Sequence, residues 1–369
     1  MTSISFVIVG CGAIAHKHAI TLQSHLDGAN LIGVCDCDAA NAEAMGSQYQ
    51  VPWFTDMHQM MNQLGDQVDV VNVLTPSGYH AQNVLELVPY GKHICVEKPM
   101  ALNLAEAQAM IAACEQANIR LFVVHQNRFN VPIQQIKAAI VQGRLGKVIT
   151  ASMRLRWHRP QSYYAQAQWR GTMALDGGVF ANQAYHFIDL LQWLVGDIGL
   201  VTSVGKTQLA NIEAEDTGLA LLHFKNGALG MAEATTAALP SAQESRISLL
   251  GESGVIEIGG FAANEIQRWE FVEGLPEDLS IQQTAHNPPN LREYGHIQYF
   301  ASVLETLTQG TAPATDGYEA LKSLKVISAI YESFATHEQV SVDAAHHHST
   351  LGVKGSKVPH SSPLQALPV

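Results

Sequence analysis

The chain has 369 residues, 47% of them hydrophobic and 15% charged, which is typical of a globular protein long enough for two domains. Its formal net charge is −12 with no basic cluster, which argues against nucleic acid as a partner. No apolar run is long enough to span a membrane and no basic leader begins the chain, so we expect a cytoplasmic protein.

The cysteine pattern predicts unpaired thiols rather than disulfides or a zinc site. The five cysteines fall in or near predicted buried segments: Cys11, Cys35, Cys37, Cys95 and Cys114. An odd number in such places is typical of a reducing compartment. Cys35 and Cys37 lack a second pair of ligands, so we predict no metal site there.

The N-terminal stretch predicts a dinucleotide-binding turn. An apolar strand, Ser5–Val9, leads directly into Gly10-Cys11-Gly12-Ala13-Ile14-Ala15 and then into a helical segment. Gly10 permits the tight turn, Gly12 allows a pyrophosphate to approach the backbone, and Ala15 lets the helix pack closely on the strand. The first N–H groups of that helix then face the phosphates.

A second predicted strand, residues 31–35, ends at Asp36. A carboxylate at this position accepts hydrogen bonds from both hydroxyls of the adenosine ribose and repels a 2′-phosphate. Neither Cys37 nor Asp38 offers the cation that NADP would need. The sequence therefore predicts NAD as the cofactor.

Strands and helices alternate through the first third of the chain, which predicts a doubly wound parallel sheet. A strand over residues 68–74 ends at Thr75-Pro76, with His80 following. The next strand ends at Glu97-Lys98-Pro99, where Pro99 restricts the preceding lysine to extended backbone. The parallel order places Lys98 on the sheet edge that carries Gly10 and Asp36. A plain strand end with a solvated lysine explains the same residues when taken alone.

The pattern changes after residue 125 to alternating strands, with Asn226-Gly227 as a hairpin turn between two of them. We expect an α/β fold: an N-terminal Rossmann domain with a doubly wound parallel sheet over residues 1–125, then a C-terminal α/β domain over residues 126–343. The second domain has a large, mostly antiparallel, open-faced sheet suited to oligomer contacts. The composition of residues 344–369, including three adjacent histidines, predicts a mobile tail rather than a metal site.

Four arginines and four large aromatic residues lie within residues 154–170 of this acidic protein. Arginine binds carboxylate or phosphate through two hydrogen bonds, and aromatic faces stack on sugars and bases. We therefore predict a substrate site, although an exposed strand followed by a surface loop also fits. The candidate substrate-binding residues in this stretch are Arg156, Arg159, Tyr163 and Tyr164.

Asp176-Gly177-Gly178 leads into a segment that we read as a helix from Asn182 onward. In that reading Asn182 and His186 lie one turn apart on one face, which makes His186 a candidate general base with Asn182 beside it. Asp189 either orients the imidazole or is structural. A buried histidine with a purely structural role fits the same pattern. Glu213-Ala214-Glu215-Asp216 reads as a solvated loop.

Together these motifs resemble the Gfo/Idh/MocA oxidoreductase family. The resemblance rests on Gly10 to Ala15, Asp36, Thr75-Pro76 with His80, Glu97-Lys98-Pro99, and Gly177-Gly178 leading to His186 and Asp189. More specific strings, such as 159–164, 169–172, 211–218 and 264–271, resemble the subgroup of UDP-N-acetylglucosaminuronate 3-dehydrogenases of lipopolysaccharide biosynthesis. The wider family commonly has Asp where Asn182 stands, so we give Asn182 a positioning role only.

The resemblance implies that Lys98 and His186 flank the reacting carbon and that Pro99 follows a cis bond. It further implies cofactor contacts from Gly10, Gly12, Ala13, Ile14, Asp36, Thr75, Pro76, His80, Glu97, Lys98, Gln126, Trp169 and Arg170. Substrate contacts are expected from Lys98, Arg156, Arg159, Tyr163, Tyr164, Asn182 and His186. A homotetramer, a nucleotide-sugar substrate and 2-oxoglutarate as a regenerating co-substrate are also expected. Two alternatives remain: a dehydrogenase of another sugar or polyol, and a non-catalytic NAD-binding regulator.

Overall fold

A computed structural model describes residues 3–242, 244–260, 262–288 and 293–358 of the chain. The contacts divide these residues into two compact units. The first unit draws on residues 1–129 and 288–321, and the second on residues 130–287 and 322–369. The first unit thus includes a later segment of the chain, residues 288–321, in addition to the Rossmann segment.

The first unit contains a parallel sheet. Its strands are β1 (Ile4–Val9), β2 (Ala29–Cys35), β3 (Trp53–Phe54), β4 (Val70–Val73), β5 (His93–Val96) and β6 (Leu121–Val123). Their order is β3-β2-β1-β4-β5-β6, and every neighbouring pair is parallel. The direction of winding reverses between β1 and β4, and open sheets of this type bind ligands at the carboxyl ends of the strands near that point. The predicted doubly wound Rossmann sheet is confirmed.

The first five helices of this unit are α1 (Ala13–Ser24), α2 (Ala39–Tyr49), α3 (Met57–Leu64), α4 (His80–Leu87) and α5 (Leu104–Gln116), and three of them begin at a side-chain cap. The side chains of Asp38, Asp56 and Asn103 accept N–H groups from the first turns of α2, α3 and α5. Each such cap satisfies a backbone donor that a helix end leaves open.

The second unit contains a larger sheet. Helix α6 (Val131–Val141) precedes its first strand. Its strands are β7 (Val148–Arg156), β8 (Ile198–Lys206), β9 (Thr217–Phe224), β10 (Leu229–Thr235), β11 (Glu244–Gly251), β12 (Gly254–Gly259), β13 (Glu265–Phe271) and β14 (Val340–Ser341). Their order is β13-β12-β11-β7-β10-β9-β8-β14, and among the described pairs β7 and β10 alone are parallel. The expected mostly antiparallel sheet is confirmed.

One face of this sheet is covered and the other presents apolar side chains. The remaining helices of the chain are α7 (Gln161–Ala165), α8 (Tyr185–Val195), α9 (Asp278–Thr284), α10 (Tyr294–Gln309) and α11 (Gly317–Thr336). A Cβ at Gly205 of β8 would meet the ring of Phe334, so α11 packs closely on the covered face. On the other face, Leu219 and Leu221 of β9 are 48% and 55% exposed. This alternation leaves one open apolar surface.

Helix α10 belongs to the first unit. Phe300 packs edge-on against Phe6 of β1, with ring centroids 5.8 Å apart, and Tyr299 is also part of that core. Among the described residues no helix is both long and apolar enough to cross a membrane.

Two residues of the predicted tail, His346 and Val358, contact other parts of the second unit. His346 bonds to Ser328, and the backbone N–H of Val358 donates to the carbonyl of Glu213. Composition alone did not indicate these contacts. Mobility stays a prediction, and residues 359–369 of the predicted tail lie outside the described residues.

Candidate active site

The glycine turn after β1 has the geometry that the fingerprint predicts. Gly10 has φ +100°, which favours glycine, and a Cβ there would lie 2.7 Å from the backbone of Leu74. Gly12 is the N-cap of α1, and a Cβ there would meet nothing within 4 Å. The backbone around Gly12 is therefore open, and the first N–H groups of α1, at Ala13 and Ile14, lack a side-chain cap. A pyrophosphate fits both properties.

Asp36 stands directly after β2 and is fixed at both carboxylate oxygens. Oδ2 accepts the N–H of Cys11 at 2.7 Å, and Oδ1 accepts the N–H of Asp38 at 2.9 Å. These bonds tie the carboxylate to the glycine turn and leave lone pairs for ribose hydroxyls. The residues present therefore fit NAD.

His80 lies between two turns at the carboxyl ends of β4 and β5. Its Nε2 is 2.8 Å from the carbonyl of Thr75, and its Nδ1 is 2.8 Å from the carbonyl of Pro99. Burial lowers the pKa of His80, so the neutral ring has one N–H to donate to one of these carbonyls at a time. The imidazole thus joins the turn at Thr75 to the turn at Pro99 through contacts with their backbone carbonyls. Its predicted cofactor contact stays a prediction.

Lys98 follows β5, is half-buried, and is joined to Pro99 by a cis peptide bond, as the resemblance implied. The carboxylate of Glu97 lies beneath it. Oε2 accepts the backbone N–H of Lys98 at 3.0 Å, and Oε1 is 3.0 Å from Nε2 of His18. The side chain of Glu97 is therefore held by its own chain, and its predicted cofactor contact stays a prediction.

The electrostatics around Glu97 favour a carboxylate. Burial opposes ionisation, but the hydrogen bond and charge of His18, with the charges of His296 and Lys98, lower the pKa of Glu97 to about 2. Burial lowers the pKa of His296 to about 3. Ligand atoms of His18, Glu97 and His296 lie within 4.8 Å of one another, among the described residues. Both oxygens of Glu97 already hold protein donors, so we assign a hydrogen-bonded network.

Gln126 lies in a short 3-10 turn after β6. Its Oε1 is buried and, within the described residues, has no hydrogen-bond partner. A buried amide oxygen without a donor is costly, and a bound cofactor would supply one. This observation supports the predicted cofactor role of Gln126.

In the second unit, arginine and aromatic side chains form a stack around Tyr163. The guanidinium carbon of Arg170 lies 4.2 Å from the Tyr163 ring centroid, and that of Arg159 lies 5.0 Å from it. Arg170 also lies 4.9 Å from the ring of Trp169, and Arg159 lies 5.1 Å from that of Trp157. The Nε atoms of both arginines are buried and, among the described residues, have no hydrogen-bond partner. Two cations held by aromatic faces fit an anionic ligand.

Arg156 and Tyr164 are placed differently from this stack. Nε of Arg156 donates to Oε1 of Glu233 at 2.6 Å, and Arg154 binds the same carboxylate. Tyr164 is buried, its hydroxyl is 2.9 Å from Thr236 Oγ1, and burial raises its pKa to about 12. The arginines of residues 154–170 therefore lie in two environments. Arg154 and Arg156 are paired with a carboxylate, whereas within the described residues Arg159 and Arg170 of the Arg159–Tyr163–Arg170 stack are not.

Asn182 lies in a turn rather than in a helix, which corrects the sequence prediction. Helix α8 begins at Tyr185, and the turn before it follows Gly177, whose φ of +77° disfavours earlier helix. The Asn182 amide donates to Oδ1 of Asp176 at 2.6 Å, and Oδ2 of Asp176 accepts the N–H of Gly171 at 2.7 Å. Asp176 therefore fixes Asn182, a role that the sequence analysis missed.

His186 lies in the first turn of α8 and is half-buried, with its ring centroid 6.3 Å from that of Tyr185. Asp189 is buried in the same helix, and its Oδ1 accepts the hydroxyl of Ser323 at 2.8 Å. Asp189 thus forms a hydrogen bond that joins α8 to α11. The base role of His186 stays a prediction.

The expectation of a solvated loop at Glu213–Asp216 is wrong, because Glu215 and Asp216 are 0% and 1% exposed. Asp216 accepts N–H groups from Gln208, Leu209 and Ala210. Burial raises the pKa of Glu215 to about 7, against hydrogen bonds from Phe180 and Tyr331 that lower it. A run of acidic residues can be buried where backbone N–H groups donate hydrogen bonds to the carboxylates, as they do here.

Family models match both units. The model described as "Oxidoreductase family, NAD-binding Rossmann fold" matches residues 4–125, and "Oxidoreductase family, C-terminal alpha/beta domain" matches residues 137–342. Curated relatives include a D-apiose dehydrogenase of Rhizobium rhizogenes, 25% identical over 93% of this chain and 99% of its own, and a scyllo-inositol 2-dehydrogenase (NAD⁺) of Bacillus subtilis, 25% identical over 91% and 95%.

Two solved structures are more similar. The WlbA dehydrogenase of Bordetella pertussis, in complex with NADH and UDP-GlcNAcA, has a TM-score of 0.89 and 37% identity over 93% of this chain and 99% of its own. The WlbA dehydrogenase of Chromobacterium violaceum, with the same two ligands, has a TM-score of 0.87 and 39% identity over 92% and 96%. With the glycine turn, Asp36 and the parallel sheet, these matches place the chain in the Gfo/Idh/MocA oxidoreductase family, as an NAD-dependent dehydrogenase that acts on a CH–OH group.

Proposed function

We propose that the protein oxidises the C3 hydroxyl of UDP-N-acetylglucosaminuronic acid to a ketone in lipopolysaccharide sugar biosynthesis. The observation that carries this proposal is the Arg159–Tyr163–Arg170 stack, in which two guanidiniums lie on aromatic faces of an acidic protein. A uronate and a diphosphate are anions that such a stack accommodates. Two similar structures contain UDP-GlcNAcA, which supports the same substrate.

We propose Lys98 and His186 as the catalytic residues, on the strength of the family resemblance. Neutral imidazole takes the proton of a carbinol at physiological pH, so His186 is the general base. Lys98 donates a hydrogen bond to the same oxygen as that oxygen gains negative charge, which is worth roughly 3 kcal/mol or more. NAD supplies the hydride acceptor. Asn182 positions substrate through an amide that Asp176 holds.

The two stacked arginines, Arg159 and Arg170, differ from Arg156 in whether their Nε donor already has a partner. Arg156 donates a hydrogen bond to Glu233. This bond raises the pKa of Arg156, and the negative charge of Glu233 raises it further. The charge of Arg156 is already matched by Glu233, so Arg156 attracts a substrate carboxylate less strongly than an arginine without a carboxylate partner. Arg159 and Arg170 have buried Nε donors without such a partner among the described residues. We therefore propose that Arg159 or Arg170 binds the uronate carboxylate, with Tyr163 stacked on the sugar or uracil.

A second candidate is a dehydrogenase of a neutral sugar or polyol. The curated relatives named for apiose and inositol favour it. A neutral polyol, however, has no charge to match two stacked guanidiniums. A product assay decides between the two: purified protein is incubated with NAD and a panel of UDP-sugars, free hexoses, apiose and inositols, with and without 2-oxoglutarate. Turnover of UDP-GlcNAcA supports the proposal, and turnover of the free sugars or polyols without it contradicts the proposal.

Arginine variants test the substrate site. Arg159→Ala and Arg170→Ala should each raise KM for UDP-GlcNAcA by about 30-fold, whereas Arg156→Ala is the matched control with less than a three-fold change. Binding of NAD to each variant is measured separately. If Arg170→Ala weakens NAD binding alone, Arg170 is a cofactor residue, as the family resemblance also allowed.

A Lys98→Met variant separates an enzyme from a regulator. We expect kcat to fall about 10³-fold or more, with NAD still released on denaturation and found by mass spectrometry. Turnover equal to that of the parent would remove Lys98 from catalysis.

We further propose a homotetramer that forms through the open face of the second unit's sheet. Leu219, Leu221, Leu229 and Met231 expose apolar side chains on two adjacent strands, and neighbouring exposed apolar residues are typical of protein–protein contacts. Mass photometry of the parent and of Leu221→Glu tests the assembly, and an unchanged mass in the variant would contradict the role of this face.

A further inference from the structure

Residues 344–358 lie past the family's C-terminal model, which ends at residue 342. They nevertheless belong to the second unit and contact other parts of it at both ends of the segment. At the N-terminal end, the backbone N–H of His348 donates to Oε2 of Glu332 at 2.6 Å, and its Nδ1 is 2.8 Å from Oε1. Glu332 belongs to α11, so this part of the segment is anchored to a helix of the second unit.

The C-terminal end of the segment reaches the loop that precedes α8. The N–H of Gly352 donates to the carbonyl of Met173 at 2.9 Å, and the N–H of Val358 donates to the carbonyl of Glu213 at 3.2 Å. Leu351 and Val358 are 2% and 4% exposed. A Cβ at Gly177 would lie 2.7 Å from Cδ1 of Leu351, so Leu351 packs on the bare α-carbon of that glycine.

The contacted loop leads to Asn182. Glu213 accepts the N–H of Met173 at 3.0 Å and donates its own N–H to the carbonyl of Gly171 at 3.1 Å. Asp176, in the same loop, accepts from Gly171 and from the Asn182 amide. Each step is a hydrogen bond or a packed contact between neighbouring residues. The position of Asn182 therefore depends on a loop that residues 351–358 cover.

We propose that residues 346–358 are a positioning strap, which holds the 171–178 loop and through it Asn182, at the substrate site of this enzyme. Loss of the strap is expected to change how substrate binds, with NAD binding unaffected. The effect on substrate rests on the proposed function, whereas the ordering of the loop does not.

Hydrogen–deuterium exchange of the full chain tests the ordering directly. In Leu351→Ser, the amides of Gly171, Asp176 and Gly177 should exchange about ten-fold faster than in the parent, because the packing over the loop is lost. His347→Ala is the matched control, since His347 is an exposed residue of the same segment. Unchanged exchange in Leu351→Ser would overturn the proposal, whatever substrate the enzyme uses.

Kinetics separate positioning from a general loss of stability. We expect Leu351→Ser to raise KM for UDP-GlcNAcA about five-fold with the dissociation constant of NAD unchanged. His348→Ala removes the ring contact with Glu332 at the other end of the segment. It should also raise KM for UDP-GlcNAcA, but by a smaller factor than Leu351→Ser. A lower melting temperature with unchanged KM and unchanged loop exchange would show a purely structural role. A parent inactive on UDP-GlcNAcA would refute the proposed function, while the exchange data would still decide the strap.

Discussion

Two buried glutamates lie beside the two turns that carry the proposed catalytic groups, and they differ in charge. Glu97 lies beneath Lys98, and its pKa is lowered to about 2. Glu215 contacts Gly178, in the turn that leads to His186, and its pKa is raised to about 7. Burial disfavours both carboxylates, so the partners decide the difference. Glu97 faces two histidines and a lysine. Glu215 instead accepts hydrogen bonds from the Tyr331 hydroxyl and the Phe180 N–H, and the neighbouring charge of Asp216 raises its pKa.

The difference shows how the same residue type supports two kinds of chemistry. An ionised Glu97 places a negative charge behind a lysine that is proposed to act as a cation. A carboxyl at Glu215 with a pKa of about 7 is about half protonated at pH 7, so it adds less negative charge to the turn before α8 than an ordinary glutamate would. Each glutamate also fixes its turn mechanically, since Glu97 accepts the Lys98 N–H and a Cβ at Gly178 would overlap the Glu215 carboxyl.

Glu97→Gln should give the largest loss of stability. Glutamine keeps one oxygen acceptor and has an NH2 donor in place of the other, so either His18 or the Lys98 N–H no longer faces a buried acceptor, and the negative charge is lost. We expect the free energy of unfolding at pH 7 to fall by about 4 kcal/mol, measured by chemical denaturation. The folded pKa is lowered, so the parent's advantage is present above the unfolded value of 4.5 and is lost as pH falls towards 2.

Glu86→Gln is the matched control for this change. Oε2 of Glu86 lies 3.5 Å from Nε2 of His58, and the two side chains are 39% and 43% exposed, respectively. We expect an effect within about 0.5 kcal/mol. Similar losses in Glu97→Gln and Glu86→Gln would mean that Glu97 is not held as an ionised, doubly bonded carboxylate.

Glu215→Gln should act in the opposite pH direction. The folded pKa of about 7 lies above the unfolded value of 4.5, so this group favours folding most at low pH, and that contribution is lost as pH rises from 4.5 through 7. Between pH 5 and pH 8 the parent should lose about 2.5 kcal/mol more stability than the variant, which cannot ionise. Parallel pH profiles for parent and variant would show that Glu215 ionises normally in the folded protein.

Much of the first unit could be predicted from the sequence because its determinants are local. Apolar runs predicted β1, β4 and β5, and glycine or proline after each run predicted the turns at Gly10, Thr75 and Lys98. The return of residues 288–321 to this unit could not be predicted, because α10 packs on β1 across nearly three hundred residues. No periodicity within one segment records such a distant partner.

The second unit shows why its site was predicted less accurately. Sequence identified the arginine-rich stretch, but the ion pair between Arg156 and Glu233 joins residues 77 positions apart. The burial of Glu215 depends on Tyr331, 116 positions away. The start of α8 was placed three residues early, since the side-chain pattern from Asn182 is helical while the Gly177 backbone is not. Residue types thus indicate chemistry, and tertiary contacts decide which members of a cluster remain available.

Tyr331→Phe should give the smallest of these effects and sharpens the contrast between the two glutamates. The Tyr331 hydroxyl donates to Oε1 of Glu215 at 2.8 Å and accepts the N–H of Gly178 at 2.8 Å. Its removal leaves one buried N–H without that acceptor, and we expect a loss of about 1 kcal/mol at pH 6. Because this hydrogen bond lowers the pKa of Glu215, the pH-dependent decline in stability should also move to higher pH.

Tyr318→Phe is the control for this variant, since the Tyr318 hydroxyl donates to Glu115 at 2.8 Å from an exposed position. It should change stability by less than about 0.5 kcal/mol at any pH. If Tyr331→Phe lowers stability without moving the pH of the decline, the hydroxyl supports the Gly178 turn alone. The raised pKa of Glu215 would then arise from burial and from Asp216, and the contrast with Glu97 would rest on the surrounding charges rather than on hydrogen bonds.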